Sequence, residues 1–122
     1  MIHVENARTT ESPNAVLNSL ATPSLGSAEL TVWRVSMRPG AEGPVHVIDR
    51  EQVWTTLAGS VEITADGSTK LVQSGQSAIL PAGEVRQVRV VDGPVDALVC
   101  MSVGGCATAP GSDERHPLPW AQ

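Results

Sequence analysis

Between residues 38 and 63 the chain reads Arg38-Pro-Gly-Ala-Glu-Gly-Pro-Val-His46-Val-Ile-Asp-Arg-Glu-Gln52-Val-Trp-Thr-Thr-Leu-Ala-Gly59-Ser-Val-Glu-Ile63. It opens on a Pro39-Gly40 turn, carries His46 just ahead of a dense apolar run, breaks at Ala58-Gly59 and resumes as a second strand-like run. Turn, polar cluster, strand, turn, strand is the layout of a hairpin with a site on its first arm.

The rest of the composition agrees with strands. Hydrophobic residues make up 41% of the 122, enough for one domain with a real core. Aromatics are only 2%, all tryptophan (Trp33, Trp54, Trp120), so the core is built from Val, Leu, Ile and Ala. Eleven glycines and nine prolines point to a turn-rich, all-β chain rather than a helical bundle. The net charge is −5 and the basic residues are scattered, which argues against nucleic acid as a partner, because phosphate neutralisation needs a basic face. No apolar stretch approaches the ~20 residues needed to span a membrane, and the N-terminus lacks the order of a signal peptide. The expected location is the cytoplasm, with Cys100 and Cys106 as free thiols and Cys100 a small core residue.

Taken in order, residues 1–28 form an N-terminal segment. Residues 1–13 read as irregular, with His3 in solvent, and 14–21 as one or two helical turns after Pro13-Asn14. Residues 29–103 form the β domain. Glu29 to Arg38 is a strand with Trp33, Val35 and Met37 on one face, and 45–48, 52–57, 61–64, 69–72, 77–80, 85–91 and 95–103 follow as further strands. Ala65-Asp66-Gly67-Ser68 is a hairpin turn, and Asp92-Gly93-Pro94 ends a strand. Residues 104–122 are a Pro- and charge-rich tail. His116 and Trp120 place it either over the barrel mouth as a lid or as a loosely packed terminus. Short strands with turn signals every 8 to 12 residues indicate a sandwich or barrel.

The spacing from Gly40 to Gly59 and from Gly75 to Arg86 resembles the cupin superfamily. The first cupin motif sets a glycine, five residues, a histidine, a second histidine two on, a glutamate, and a glycine after six more. Here Gly40, His46 and Gly59 match, while Ile48 stands where the second histidine belongs and Gln52 where the glutamate belongs. In the second motif Gly75, Pro81 and Gly83 match, Arg86 replaces the histidine and Val90 the asparagine. The Asp49–Trp54 run, the Pro-Ala-Gly-x-x-Arg turn and the Pro-Leu-Pro-Trp end look like a subgroup of small bacterial cupins, some of which act in polyketide cyclisation. The resemblance implies a single-domain jelly-roll barrel with a short N-terminal helical turn, and commonly a homodimer, for which outward Val53 and Leu57 are candidates.

The family's metal, held by three histidines and a glutamate, is not expected here. Ile48 has no donor, Gln52 offers a neutral carbonyl, and Arg86 places a fixed positive charge where a ligand should be. The expected cofactor and metal complement is therefore none. If Gln52 points inward, so do Trp54 and Thr56, and His46 with Ile48 and Arg86 with Val88 do the same on their own strands. His46, Gln52 and Arg86 would then form a polar cluster walled by Ile48, Trp54, Val88, Met37 and Met101, the general form of a small-molecule pocket.

His46 is either an acid/base group or the remnant of a metal site hydrogen-bonded to Gln52. Arg86 either binds a carboxylate, enolate or phenolate oxygen or pairs with an acidic side chain. Asp49 and Glu51 fall on one face opposite Gln52, exposed or at a subunit contact. The leading expectation is a metal-independent isomerase or cyclase with His46 as base and Arg86 and Gln52 holding the oxyanion. The alternatives are a binding or sensing module with the same pocket, and a metal-dependent dioxygenase with altered ligands.

Overall fold

A computed structural model describes residues 1–122. Its ten strands are β1 (Arg8–Glu11), β2 (Val16–Ala21), β3 (Leu30–Met37), β4 (His46–Ile48), β5 (Gln52–Ala65), β6 (Ser68–Gln73), β7 (Ser77–Leu80), β8 (Val85–Ser102), β9 (Cys106–Thr108) and β10 (His116–Pro117). Every pairing is antiparallel, in one curled sheet ordered β1-β2-β3-β8-β4-β9-β10, with β5 joining β8 to β6 and β7. The all-β barrel expected from the sequence is the fold observed.

Alternation works as read. On β3, Thr31, Trp33, Val35 and Met37 are buried and their neighbours are not; on β5, Gln52, Trp54 and Thr56 point in. Asp66 (φ 49°) and Gly67 (φ 73°) form the two-residue turn of the β5–β6 hairpin, both left-handed as that turn demands. Fully buried Val61, Ile48 and Val95 sit in the central cluster, where each such side chain contributes about 1.5–3 kcal/mol by leaving water.

Two expected strand ends are bends instead. β5 runs through Gly59 and β8 through Asp92-Gly93-Pro94, so four expected strands fuse into two long ones that pair along most of their length. At the bend the inward positions change parity. They run 52, 54, 56 and then 61, 63 on β5, and 86, 90 and then 95, 97, 99, 101 on β8. Register shifts between Thr56 and Val61 supply the extra residues. Gly59 (φ 75°) is required there, because a Cβ would lie 2.5 Å from the Asp92 carbonyl oxygen and 2.6 Å from that of Pro94.

The termini differ most from expectation. Residues 14–21 are not helical: Val16–Ala21 is β2, and Arg8–Glu11 in the supposedly irregular start is β1. The helical turn of this segment lies later, at Pro23–Leu25. Pairing with β3 buries Leu17 and Ser19 on one face, which overrides any local helical preference. Cys100 is only half-buried, because Val99 and Met101 take the inward positions and period two turns it outward. Both thiols are free, as expected.

The tail completes the barrel. From β9, paired to β4, it crosses to a short helical turn at Pro119–Ala121 that packs on β1, β2 and β3. Arg8 donates to the Pro119 carbonyl at 3.2 Å and Ser19 Oγ to that of Trp120 at 2.5 Å, while Leu118 and Ala121 are buried. No helix of the chain is long and apolar enough to cross a membrane.

Candidate functional site

The barrel holds a half-open cavity of about 310 Å³, lined mostly by apolar side chains. That volume is at the small end of the range for ligand pockets. Of the residues singled out from the sequence, His46, Gln52, Arg86, Ile48, Trp54, Val88 and Met37 line it. Met101 does not; it is buried behind Gln52, whose Nε2 donates to its sulfur at 3.7 Å. Sequence reasoning did not include Trp33, Val35, Val99 or, from the tail, Leu118 in the wall. The first three follow from the β3 and β8 alternation, whereas Leu118 has no sequence signal.

His46 and Arg86 are directly opposed across β4 and β8. Arg86 is 1% exposed, the largest fully buried side chain in the chain. Its Nε donates to the Glu84 carbonyl at 3.1 Å, one Nη to the Pro81 carbonyl at 2.5 Å and the other to Gln52 Oε1 at 3.4 Å. A guanidinium has five N–H groups, so two remain available. None of the chain's ion pairs involves Arg86. The expected alternative, an arginine neutralised by an acidic side chain, is therefore not what the site contains. Burial depresses the Arg86 pKa, and the nearby Glu84 charge opposes that.

His46 does not bond to Gln52. Its Nδ1 lies 2.8 Å from the Pro44 carbonyl. A carbonyl only accepts, so Nδ1 carries the proton and Nε2 keeps its lone pair. Burial lowers the His46 pKa below the usual histidine value; the Pro44 hydrogen bond opposes this and the Arg86 charge adds to it. The imidazole is thus neutral at neutral pH and basic at Nε2. Trp54 donates Nε1 to Thr56 Oγ1 at 2.9 Å and presents only its ring to the cavity.

The site does not fit the metal of the resembling family. His46 is the one imidazole on the cavity wall, Gln52 spends its carbonyl on Arg86, and a guanidinium occupies the third position. No group of three His, Cys, Asp or Glu side chains elsewhere is placed to hold an ion.

The other singled-out residues are structural or peripheral. Asp49 lies in the turn after β4, not on a strand face with Glu51. It accepts the Cys106 amide at 2.7 Å and pairs with Arg115, anchoring the tail, while Glu51 is exposed. Burial would raise the Asp49 pKa, but the Cys106 and Arg115 contacts outweigh it and the net shift is downward. His116 is exposed on β10. A larger groove of about 540 Å³ runs outside over β6 and β7, with Leu71, Ile79 and Lys70 among its lining. Lys70 is its one titratable side chain, and it is open to solvent.

The family model for the cupin domain matches residues 33–103. Among curated proteins no sequence matches. Solved structures match in fold. KdgF from Halomonas sp. superposes with a TM-score of 0.69 at 15% identity, covering 80% of this chain and 86% of that one. An RmlC-like cupin from Shewanella frigidimarina gives 0.69 at 20% identity, covering 84% and 91%. Oxalate decarboxylase from Bacillus subtilis gives 0.70 at 15% identity, but this chain spans only 28% of its length.

Proposed function

The chain belongs to the cupin domain family, and on that premise we propose that it binds a small carbonyl-bearing metabolite and acts as a metal-independent isomerase or cyclase. The observation that carries this reading is Arg86, a buried cation with no carboxylate partner and two unused N–H donors beside a neutral His46. A buried charge that no carboxylate hydrogen-bonds, offset here only by the nearby Glu84 charge, is costly unless something else stabilises it. An anionic or strongly polarised ligand oxygen does so.

In the proposed reaction His46 Nε2 removes a proton from the carbon next to a carbonyl. The electron pair moves onto the oxygen, and the enolate is held by the Arg86 N–H groups, with Gln52 fixing the guanidinium. For an isomerisation, the imidazolium returns the proton to a different carbon. For a cyclisation, the enolate carbon attacks a second carbonyl in the same molecule and the proton goes to the new alkoxide.

The test is proton exchange. Ketones whose α-protons exchange slowly in buffer, 4-acetylbenzoate and 6-acetyl-2-naphthoate, incubated in D2O with the protein should lose their acetyl proton signals faster than in buffer, and His46→Gln should abolish the acceleration. Binding without any accelerated exchange across the panel would favour the sensing alternative. That alternative is supported by the same Arg86 observation, since an anion site needs no turnover. Elemental analysis of untagged protein addresses the dioxygenase alternative: a stoichiometric transition metal would overturn the metal-independent reading.

We propose further that the chain forms a homodimer. Val53 and Ile79 are register partners on the outer face, and Ile79 and Leu57 are exposed. A monomeric mass by light scattering would sink this. The free thiols Cys100 and Cys106 suit a reducing compartment, which supports a cytoplasmic site of action.

A further inference from the structure

The three tryptophans all line the cavity, but two of them differ in how their indole nitrogens are treated. Trp54 Nε1 is bonded to Thr56. Trp120 Nε1 is buried with no hydrogen-bond partner. Buried donors are nearly always paired, and one without a protein acceptor asks for a reason.

The indole N–H takes no part in holding the tail, although the ring packs against the core. The turn is fixed through its backbone, with Ser19 Oγ donating to the Trp120 carbonyl, Arg8 to that of Pro119, and the Ala121 amide bonding to Leu118. Leu118 and Ala121 supply the buried apolar contacts. The indole is therefore carried on a rigid support, with its ring at the cavity and its donor unspent.

Arg86 belongs to the β4/β8/β5 wall, with His46 and Gln52. Trp120 belongs to the β1/β2/β3 wall. We propose that Trp120 is a ligand-binding residue whose Nε1–H donates to a second acceptor oxygen on the ligand. The ligand class is then a flat, largely apolar anion carrying an anionic oxygen toward Arg86 and a neutral carbonyl toward Trp120. This rests on the anion-site reading of Arg86 given above. Nε1 is shielded as it stands, so binding in this proposal includes a rotation of the indole about its side-chain torsions that turns the donor toward the cavity the ring borders.

The test compares isosteric pairs of two lengths: 4-acetylbenzoate with 4-isopropenylbenzoate, and 6-acetyl-2-naphthoate with 6-isopropenyl-2-naphthoate. In each pair a carbonyl oxygen is exchanged for a methylene of similar shape. Binding is followed by tryptophan fluorescence, and the Trp120 indole N–H by proton–nitrogen correlation NMR. At one length or both, the acetyl compound should bind about fivefold tighter. Its binding should move the Trp120 N–H resonance downfield. Trp120→Phe, which keeps a ring but removes the donor, should bring the ratio to about one, with the larger loss of affinity falling on the acetyl compound.

A preference retained in Trp120→Phe, or no preference at either length, overturns the role of Trp120 and leaves Arg86 untouched. Failure of all four carboxylates to bind overturns both readings.

Discussion

Arg86 and Arg89 lie three residues apart on β8, and the barrel treats them oppositely. Arg89 faces out, half-exposed, with its Nη2 2.6 Å from Glu62 Oε2 across the β5–β8 ladder. Arg86 faces in, is 1% exposed, and bonds only to neutral oxygens. If charge pairing served stability, the buried arginine would be the one to hold a carboxylate, because pairing matters most where water is absent. The reverse is found. The exposed ion pair is of the kind that contributes little. The buried charge is left available. The difference separates an arginine paired at the surface from one whose surroundings fit the proposed anion site.

The largest expected effect lies on the proton-transfer partner that shares Arg86's wall. His46→Gln should reduce catalysed α-proton exchange by about 10²–10⁴-fold, the usual contribution of a general base, measured by the decay of the substrate's proton signal in D2O. Affinity for 2-naphthoate should change far less, because the guanidinium is retained. Equal losses in exchange and affinity would mean that His46 shapes the pocket rather than moving a proton.

Next in size is the direct contrast between the arginines. Arg86→Met keeps the length of the side chain and removes its charge. Two charge-assisted hydrogen bonds to a carboxylate correspond to about 100-fold in the Kd for 2-naphthoate, which isothermal titration would read. The neutral analogue 2-naphthalenemethanol should discriminate little between the two proteins. If Arg86→Met binds the carboxylate as the unaltered protein does, the anion-site reading is lost.

This contrast was only partly legible in the sequence. Period two within β4, β5 and β8 placed His46, Gln52 and Arg86 on the inside, and the glycine and proline spacing of the motifs supported a barrel. What the sequence did not carry was Arg86's surroundings. Whether a buried arginine meets a carboxylate depends on Glu84, Pro81 and Gln52 in space, and Glu84 contributes its carbonyl to the guanidinium rather than its carboxylate. The same limit explains the termini. Val16–Ala21 has apolar residues at spacings that fit a helix or a strand, and only the β3 edge chooses between them. Gly59 and Gly93-Pro94 are breakers by local rule, yet the two segments bend against each other and keep pairing. Trp120 stood out from the sequence, but its unpaired donor is visible only once Ser19 is seen to bond its carbonyl and no protein acceptor meets Nε1.

A smaller effect follows from the neutral His46. Its folded pKa lies below the ordinary value of 6.5. The unfolded chain therefore takes up the proton first as pH falls. Between about 6.5 and the lower folded value, the unfolded state binds more protons, so stability declines on acidification and is fully present above that window. Urea unfolding at pH 7.5 and at pH 5.5 should show this loss, and His46→Gln should lose less over the same interval. A histidine variant with an unchanged pH slope would mean that other groups carry it.

The smallest expected effect completes the comparison from the outer side. Arg89→Met removes a solvent-exposed partner of Glu62. Exposed pairs contribute about 0.2–1 kcal/mol, and salt screens them further. The urea midpoint should shift by no more than that range allows, the shift should shrink at high ionic strength, and 2-naphthoate affinity should be unchanged, because the side chain points away from the cavity. A loss of affinity in Arg89→Met as large as that in Arg86→Met would erase the distinction between the two faces of β8. The cavity would then owe its anion preference to the field of the whole strand rather than to one buried guanidinium.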